Sequence, residues 1–432
     1  MQFLSELRLH SLPWHALAGL ADELVPALSE VLAGQKAELV LSRFLRARRG
    51  LDADGRRAVA EAVFGVGLWR RRLAWHAGVE EPSPEHARVL LFCLLRDLGG
   101  LPAQDAANLT GHAGEAPLQR DPPPPTDLAH RFSMPDWLVQ SLRDSLPRIA
   151  KDDELSALAD ALNLPGPVTL RTNRLRTTRD ELQQALAAQE IQTKQGVYAP
   201  DTALHVVTPR PNILGLPEHQ AGHFETQDEG SQLLGALVEA KPGERVLDHC
   251  AGAGGKSLQL AAQLQNRGEL HVYDPDLSRL ERLEVRARKA GVDPRILRVH
   301  RREPPAELLV DRVLVDAPCS ELGPLRRGPD VRFRLESATF TALPSLQRSL
   351  LEKALKHLRP GGRLVYATCT FRREEGEEVA LAFEAANAAK LTRRRPGDGW
   401  LDPSLVTPEG FFRSFPHRHG TDGFFAAVWS RR

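Results

Sequence analysis

One stretch constrains this chain more than any other: Arg245 to Leu264, RVLDHCAGAGGKSLQLAAQL. A short apolar run, Val246 and Leu247, ends in Asp248. A glycine-rich turn, Gly252-Ala253-Gly254-Gly255, leads into Leu258, Leu260, Ala261 and Leu264 near helical spacing. The order is strand, tight loop, helix. Glycines let backbone approach a ligand, and the first turn of a helix offers free N–H groups, so this is half of a nucleotide-binding crevice. A phosphate-binding P-loop needs a leading glycine where Cys250 stands, and the last glycine of a dinucleotide loop is missing after Gly252 and Gly254. A loop for S-adenosylmethionine, or a simple turn, remains open. Glu269 to Tyr273 reads as the next strand and ends in Asp274, where a carboxylate binds a ribose hydroxyl pair or caps the next helix together with Asp276.

The rest of the 432 residues divides by composition. Residues 1–110 read as an all-helical bundle, with Leu39, Leu41, Phe44 and Leu45 on one helix and Val59, Val63, Val66 and Trp69 on another. Its arginines (Arg43, Arg46, Arg48, Arg49, Arg56, Arg57, Arg70, Arg71 and Arg72) suggest an RNA-facing surface as readily as a solvated one. Residues 111–135, with Pro122 to Pro125, read as a linker. Residues 136–224 hold a helix and a small α+β module made locally basic by Arg171, Arg174 and Arg176 beside Asn173. From 225 to 432, strands at Ile296–His300, Asp311–Asp316, Leu364–Thr368 and Phe424–Trp429 alternate with helices. One of these helices, Leu346–Leu358, is stopped by Pro360-Gly361-Gly362. This pattern predicts an α/β fold: an open, mostly parallel sheet with a crevice at the strand C-termini.

Net charge is +1, so any nucleic-acid site is a local patch rather than a global polycation. No secretory pattern opens the chain and no apolar run is long enough to span a bilayer. The expectation is a cytoplasmic protein, with no membrane partner, whose four cysteines stay reduced. No CxxC pair occurs, which argues against a structural metal, and nothing demands more than a monomer.

Two of the cysteines stand at predicted strand ends: Asp316-Ala317-Pro318-Cys319-Ser320 and Ala367-Thr368-Cys369-Thr370. Adjacent strands would bring both to one crevice. Beside S-adenosylmethionine, such a pair suits methylation of a pyrimidine. Carbon 5 is a poor nucleophile until a thiolate adds to carbon 6. A proton must then leave carbon 5, and the thiol must depart. A free thiol is only a few per cent ionised at neutral pH, so nearby cations matter, and Lys256, Arg326 and Arg327 are candidates. Asp316 is a candidate acid near ring nitrogen 3. The residues alone do not choose which cysteine attacks.

The segment DAPCS, then Arg326-Arg327, Pro329-Asp330, YATCT and Glu375, Glu377 and Glu378, resembles the RNA cytosine-C5 methyltransferase family. That family includes bacterial 16S ribosomal RNA enzymes and the eukaryotic NOL1/NOP2/Sun proteins. Arg171-Thr172-Asn173, Gln227-Asp228-Glu229 with Ser231-Gln232, and Asp422-Gly423-Phe424-Phe425 extend the match. The helical region, with Ala60-Glu61-Ala62-Val63-Phe64-Gly65-Val66, is similar to an antitermination-factor-type RNA-binding domain. The resemblance implies a Rossmann-like class I methyltransferase domain, S-adenosyl-L-methionine as cofactor, and small-subunit ribosomal RNA as partner. By it Cys369 is the nucleophile, Cys319 assists product release, and Asp316 sits between cofactor and base. The loop Cys250, Ala251, Gly252, Ala253, Gly254, Gly255 and Lys256, with Asp274, holds the cofactor. The chain departs from the family pattern in three places. CAGAGGK replaces CAAPGGK, Glu321 stands where glycine is usual, and Val299-His300-Arg301-Arg302-Glu303 lacks the aspartate expected near adenine. The rival reading is a non-catalytic RNA-binding or ribosome-assembly factor that kept the fold.

Overall fold

A computed structural model describes residues 3–112, 125–146, 152–208, 211–335 and 340–432. Part of the proline-rich linker therefore lies outside the described residues. The chain divides into two compact units, 1–165 with 325–339, and 166–324 with 340–432.

The first unit is helical. Its longest helix, Ala53–Ala77, starts at Asp52, whose side chain accepts from the Gly55 N–H, and ends at Gly78 in the left-handed conformation. Val59, Val63, Val66, Trp69 and Leu73 recur along it and are buried. They pack with helices Ala21–Leu32, Ala37–Ala47 and Ala87–Cys93 around one core. Burying that many large side chains, each worth about 1.5–3 kcal/mol, makes the interior the main source of stability. The arginines of this region are not all surface groups. Arg72 is 2% exposed and donates to the Arg131 carbonyl, Glu6 and His76. Arg71 donates to the Met134 carbonyl and pairs with Asp136, and Arg70 lies over the Phe333 ring. These three therefore make internal contacts, whatever the others face.

Residues 325–335 of the returning segment are tied into the same unit by hydrogen bonds. Asp330 accepts from the Ala37 N–H at 3.2 Å and from Arg334. Arg332, fully buried, donates to Asn163 Oδ1 at 2.8 Å and to the Leu162 carbonyl. Arg326 and Arg327 belong to this segment.

The second unit contains two sheets. The smaller is antiparallel: β1 (Thr169–Thr172), β2 (Thr193–Gln195), β3 (Ala203–Val206) and β4 (Phe224–Thr226), in the order β2-β3-β1-β4. The helix Arg179–Ala187 begins with a capping box between Thr178 and Glu181 and buries Leu182 and Leu186. The larger sheet holds β5 (Arg245–Asp248), β6 (Glu269–Tyr273), β7 (Leu297–His300), β8 (Val310–Asp316), β9 (Leu358–Thr368), β10 (Leu391–Arg394), β11 (Phe412–Ser414) and β12 (Phe424–Arg431). Its order is β10-β12-β9-β8-β5-β6-β7, with β11 on β12. β7, β6, β5, β8 and β9 are mutually parallel, and β12 is antiparallel to β9. This is the Rossmann-like α/β architecture the sequence predicts. The order reverses at β5, so the crevice opens where the ends of β5, β6 and β8 meet.

The break expected after Leu358 takes another form. The helix Leu343–His357 ends, Leu358 pairs with Val310 and Arg363 with Arg312, and residues 359–362 bulge outward with Gly361 at φ +75°. A bulge tolerates Pro360 because the ladder needs no N–H there.

Candidate active site

The glycine loop lies between β5 and the helix Gly255–Gln263. Gly254 has φ +91°, and a Cβ there would lie 2.7 Å from Leu283 Cγ, so only glycine fits. Gly252 has φ +53°, and its N–H donates to Asp274 Oδ2 at 2.9 Å. Asp274, buried at the tip of β6, also accepts from the Asp276 N–H, while Asp276 caps the following helix. Asp274 thus locks the loop to the neighbouring strand and keeps spare lone pairs on both oxygens. No atom lies within 4 Å of a Cβ built on Gly252 or Gly255. Asp248 is buried beneath. One of its oxygens accepts from Ser257 at 2.7 Å and the other has no protein partner. Burial pushes its carboxyl up to about 7.

Two arginines hold the loop from outside. Arg171, in β1 and 3% exposed, donates to the Gly255 carbonyl at 2.6 Å and to Gln227. Arg286 donates to the Ala253 carbonyl at 2.6 Å and to Glu225 at 2.8 Å. Asn173, also buried, donates to the Gly222 and Ala290 carbonyls. Arg171 and Asn173 are therefore structural, not part of an RNA-facing patch. The other matched motifs act similarly. Glu229 accepts from the Tyr198 and Ala199 N–H groups and pairs with His205. Asp228 accepts from the Asp422 N–H, and Gly423 leaves no room for a side chain beside Phe371.

The two strand-end cysteines meet. β8 and β9 are adjacent, and Cys319 Sγ and Cys369 Sγ are 3.4 Å apart. Both thiols are half-buried. The hydrogen bond between them, then burial, holds the Cys369 thiol well above its ordinary range, and Asp316 and Glu321 add to this. Lys256 donates to Asp316 at 2.7 Å. Burial opposes its charge, but Asp316 outweighs burial and Cys369 adds to its effect, so the ammonium stays charged. Of the cations proposed from sequence, Lys256 lies within electrostatic reach of the thiols; Arg326 and Arg327 belong to the helical unit. Cys250 is half-buried near Asp248, Asp316, Asp274 and Glu303, and loss of solvent followed by those carboxylates raises its thiol.

A supporting layer lies behind the thiols. Glu375, fully buried, accepts from the Ser320 N–H at 2.9 Å and from Gln347, which also donates to the Pro318 carbonyl. Ser320 and Thr370 hydroxyls are 2.7 Å apart, and the Gly323 N–H donates to the Cys369 carbonyl. These contacts fix each thiol by its neighbours in sequence. Glu375 stands within a sequence motif that does not reveal this role, and Gln347 carries no motif signal. Among the described residues no cluster of three or more His, Cys, Asp or Glu could hold a metal ion, and no helix is long and apolar enough to cross a membrane.

The profile of 16S rRNA methyltransferase RsmB/F matches residues 236–430, and that of an RsmF/B-like ferredoxin-like domain matches 134–211. Ribosomal RNA small subunit methyltransferase B of Pseudomonas putida is 32% identical over 88% of this chain and 83% of its own length. The human 28S rRNA (cytosine(4447)-C(5))-methyltransferase is 31% identical over 71% of this chain and 39% of its own length. In fold, NSun6 from Pyrococcus horikoshii, solved with SFG, covers 69% of this chain and 98% of its own at 20% identity, with a TM-score of 0.59. The profile matches and the identity to full-length relatives agree with the paired strand-end thiols: this chain belongs to the RsmB/F family of 16S rRNA methyltransferases.

Proposed function

We propose that this methyltransferase uses S-adenosyl-L-methionine to methylate carbon 5 of a cytosine in RNA, with small-subunit ribosomal RNA as substrate, through a covalent bond between Cys369 and carbon 6. The observation that carries the reading is the pair of thiols 3.4 Å apart at the ends of β8 and β9, beside the Lys256–Asp316 pair. The glycine loop fits the cofactor. Gly252 and Gly255 have open space above them, Asp248 keeps an unpartnered oxygen below, and Asp274 retains lone pairs for a ribose. The residues from Cys250 to Lys256, with Asp274 and Asp316, would hold it. The cofactor supplies an electrophilic methyl group.

The chain's own residues do the rest. Cys369 passes its proton to the Asp316 carboxylate as its sulfur adds to carbon 6, which makes carbon 5 nucleophilic. Asp316, held by Lys256 through their 2.7 Å contact, hands that proton to ring nitrogen 3 and so neutralises the charge building there. After transfer the carbon 5 proton leaves to solvent, the Cys369–carbon 6 bond breaks, Cys319 protonates the departing Cys369 sulfur, and the nitrogen 3 proton passes back through Asp316 to Cys319, so that methylated RNA departs. The target base must be unstacked to reach the thiols. Homologues named as ribosomal RNA methyltransferases, one of them a cytosine-C5 enzyme, support the substrate class.

A covalent-adduct gel tests this. Cys319→Ala and Cys369→Ala proteins are mixed with unmodified small-subunit rRNA and cofactor and run under denaturing conditions. The expected result is a slow RNA–protein band with Cys319→Ala and none with Cys369→Ala. The reverse pattern exchanges the roles. Absence of both a band and methyl transfer by the wild type overturns the reading in favour of a non-catalytic RNA-binding factor.

A further inference from the structure

The carbonyl oxygens of Ala253 and Gly255 are both gripped by guanidinium groups that come from outside the loop. One comes from the small antiparallel sheet and the other from the helix Leu277–Ala290. The two arginines share one counter-charge. Glu225 pairs directly with Arg286, and it stands opposite Arg171 in the register of β1 and β4. Without that carboxylate the arginines would repel each other, and Arg171 is almost wholly buried. The small sheet is also packed tightly here: a Cβ on Gly222 would lie 2.2 Å from the Lys289 carbonyl.

Holding a carbonyl fixes its peptide plane, and with it the direction of the next N–H. The next N–H groups belong to Gly254 and Lys256. Gly254 closes the loop on the Ala251 carbonyl at 2.9 Å. Lys256 lies in the first turn of the helix Gly255–Gln263, where backbone donors have no partner within the helix. The same residue carries the ammonium that holds Asp316.

We infer that Arg171, Glu225 and Arg286 form a brace that presets the cofactor loop, so that the small antiparallel sheet is a working part of the S-adenosylmethionine site. The inference rests on the reading of that loop as the cofactor site. The three are positioning residues. They act on the cofactor through the Ala253 and Gly255 peptides.

The test is calorimetric titration of the full-length protein with S-adenosylmethionine, without RNA. Arg286→Met is the first variant, because this side chain is 30% exposed and its loss is the easier to tolerate. Losing a charge-assisted hydrogen bond to the loop should weaken cofactor binding by about tenfold or more. Arg286→Lys keeps one donor and should recover part of the loss. In turnover, KM for the cofactor should rise while KM for RNA and kcat at saturating cofactor hold, a split that general destabilisation would not give. Arg171→Lys, whose ammonium sits on a different stem from the Nη1 that serves both Gln227 and the Gly255 carbonyl, should show the same split. A dissociation constant within twofold of wild type in folded Arg286→Met overturns the brace. If wild type itself binds no S-adenosylmethionine, the reading of the loop fails instead.

Discussion

Two cysteines, one in each unit, show what distinguishes a core thiol from a site thiol. Cys93 lies in the bundle core with no solvent exposure, among Leu90, Leu91 and Leu94. Cys369 lies at the end of β9, half-buried, facing a second thiol. Both thiols are pushed up, but for different reasons. For Cys93 the first cause is burial. For Cys369 it is the hydrogen bond with Cys319, with burial second and Asp316 and Glu321 behind. Burial makes a thiol inert; a site arises where strand ends bring several ionisable groups to one place. Cys93 continues a helix, so its neighbours are set by helical spacing. Cys369 stops a strand, so its neighbours come from β8 and from the loop after β5.

The same substitution at both places should separate them most sharply. Cys369→Ala should lower methyl transfer by about 10⁴-fold or more, as removal of a nucleophile does elsewhere. Its unfolding midpoint should barely move. Cys93→Ala should leave transfer unchanged and cost about 1 kcal/mol of stability. Denaturant unfolding and a radiolabelled methyl-transfer assay on both variants check this. A loss of transfer in Cys93→Ala would break the contrast.

Much of that contrast was legible in the sequence. The strand–loop–helix around Gly252 to Lys256, the acidic end of β6 and the two strand-end cysteines all follow from local pattern, because each depends on residues close in the chain. The strands predicted at Ile296–His300 and Asp311–Asp316 lie within a residue of β7 and β8. What could not be read needed contacts across the chain. Arg171 looked like a surface cation, and only the docking of β1 beside the loop shows that it is buried and bound to Gly255. Pro360-Gly361-Gly362 signals a break correctly, but a bulge inside a strand and a loop after a helix have the same local chemistry.

The elevated Cys369 thiol makes a second, smaller comparison, between the crevice as charged and as neutralised. The attacking species is the thiolate. With the thiol well above its ordinary range, its thiolate fraction grows tenfold per pH unit throughout the neutral range. Activity should therefore be lost as pH falls and gained as it rises: kcat/KM should climb by about tenfold per unit between about pH 6.5 and 8.5. A plateau beginning below neutral pH would show that the thiol is not held up in the free enzyme. Lys256→Met should lower the whole limb by about 10- to 100-fold, because it removes the cation near Cys369 and leaves Asp316 unpaired. The slope should survive. A variant with full activity would mean that Lys256 serves the fold alone.

The smallest effect tests strain against charge. Glu321, two residues beyond Cys319, is exposed and has φ +55°, a conformation that costs a side-chain-bearing residue about 1 kcal/mol. Its carboxylate is also among the groups that raise the Cys369 thiol. The two contributions separate by substitution. Glu321→Gly relieves both, so the unit containing it should gain about 1 kcal/mol in stability. Its pH–rate limb should also move to lower pH, raising kcat/KM at neutral pH by about two- to threefold, the effect of one screened surface charge. Glu321→Ala removes the charge but keeps the strained φ, so it should shift the pH limb equally without the stability gain. If alanine and glycine stabilise alike, the backbone at this turn carries no strain. If neither moves the limb, the carboxylate is too well solvated to reach the thiol, and the raised Cys369 rests on Cys319, Asp316 and burial.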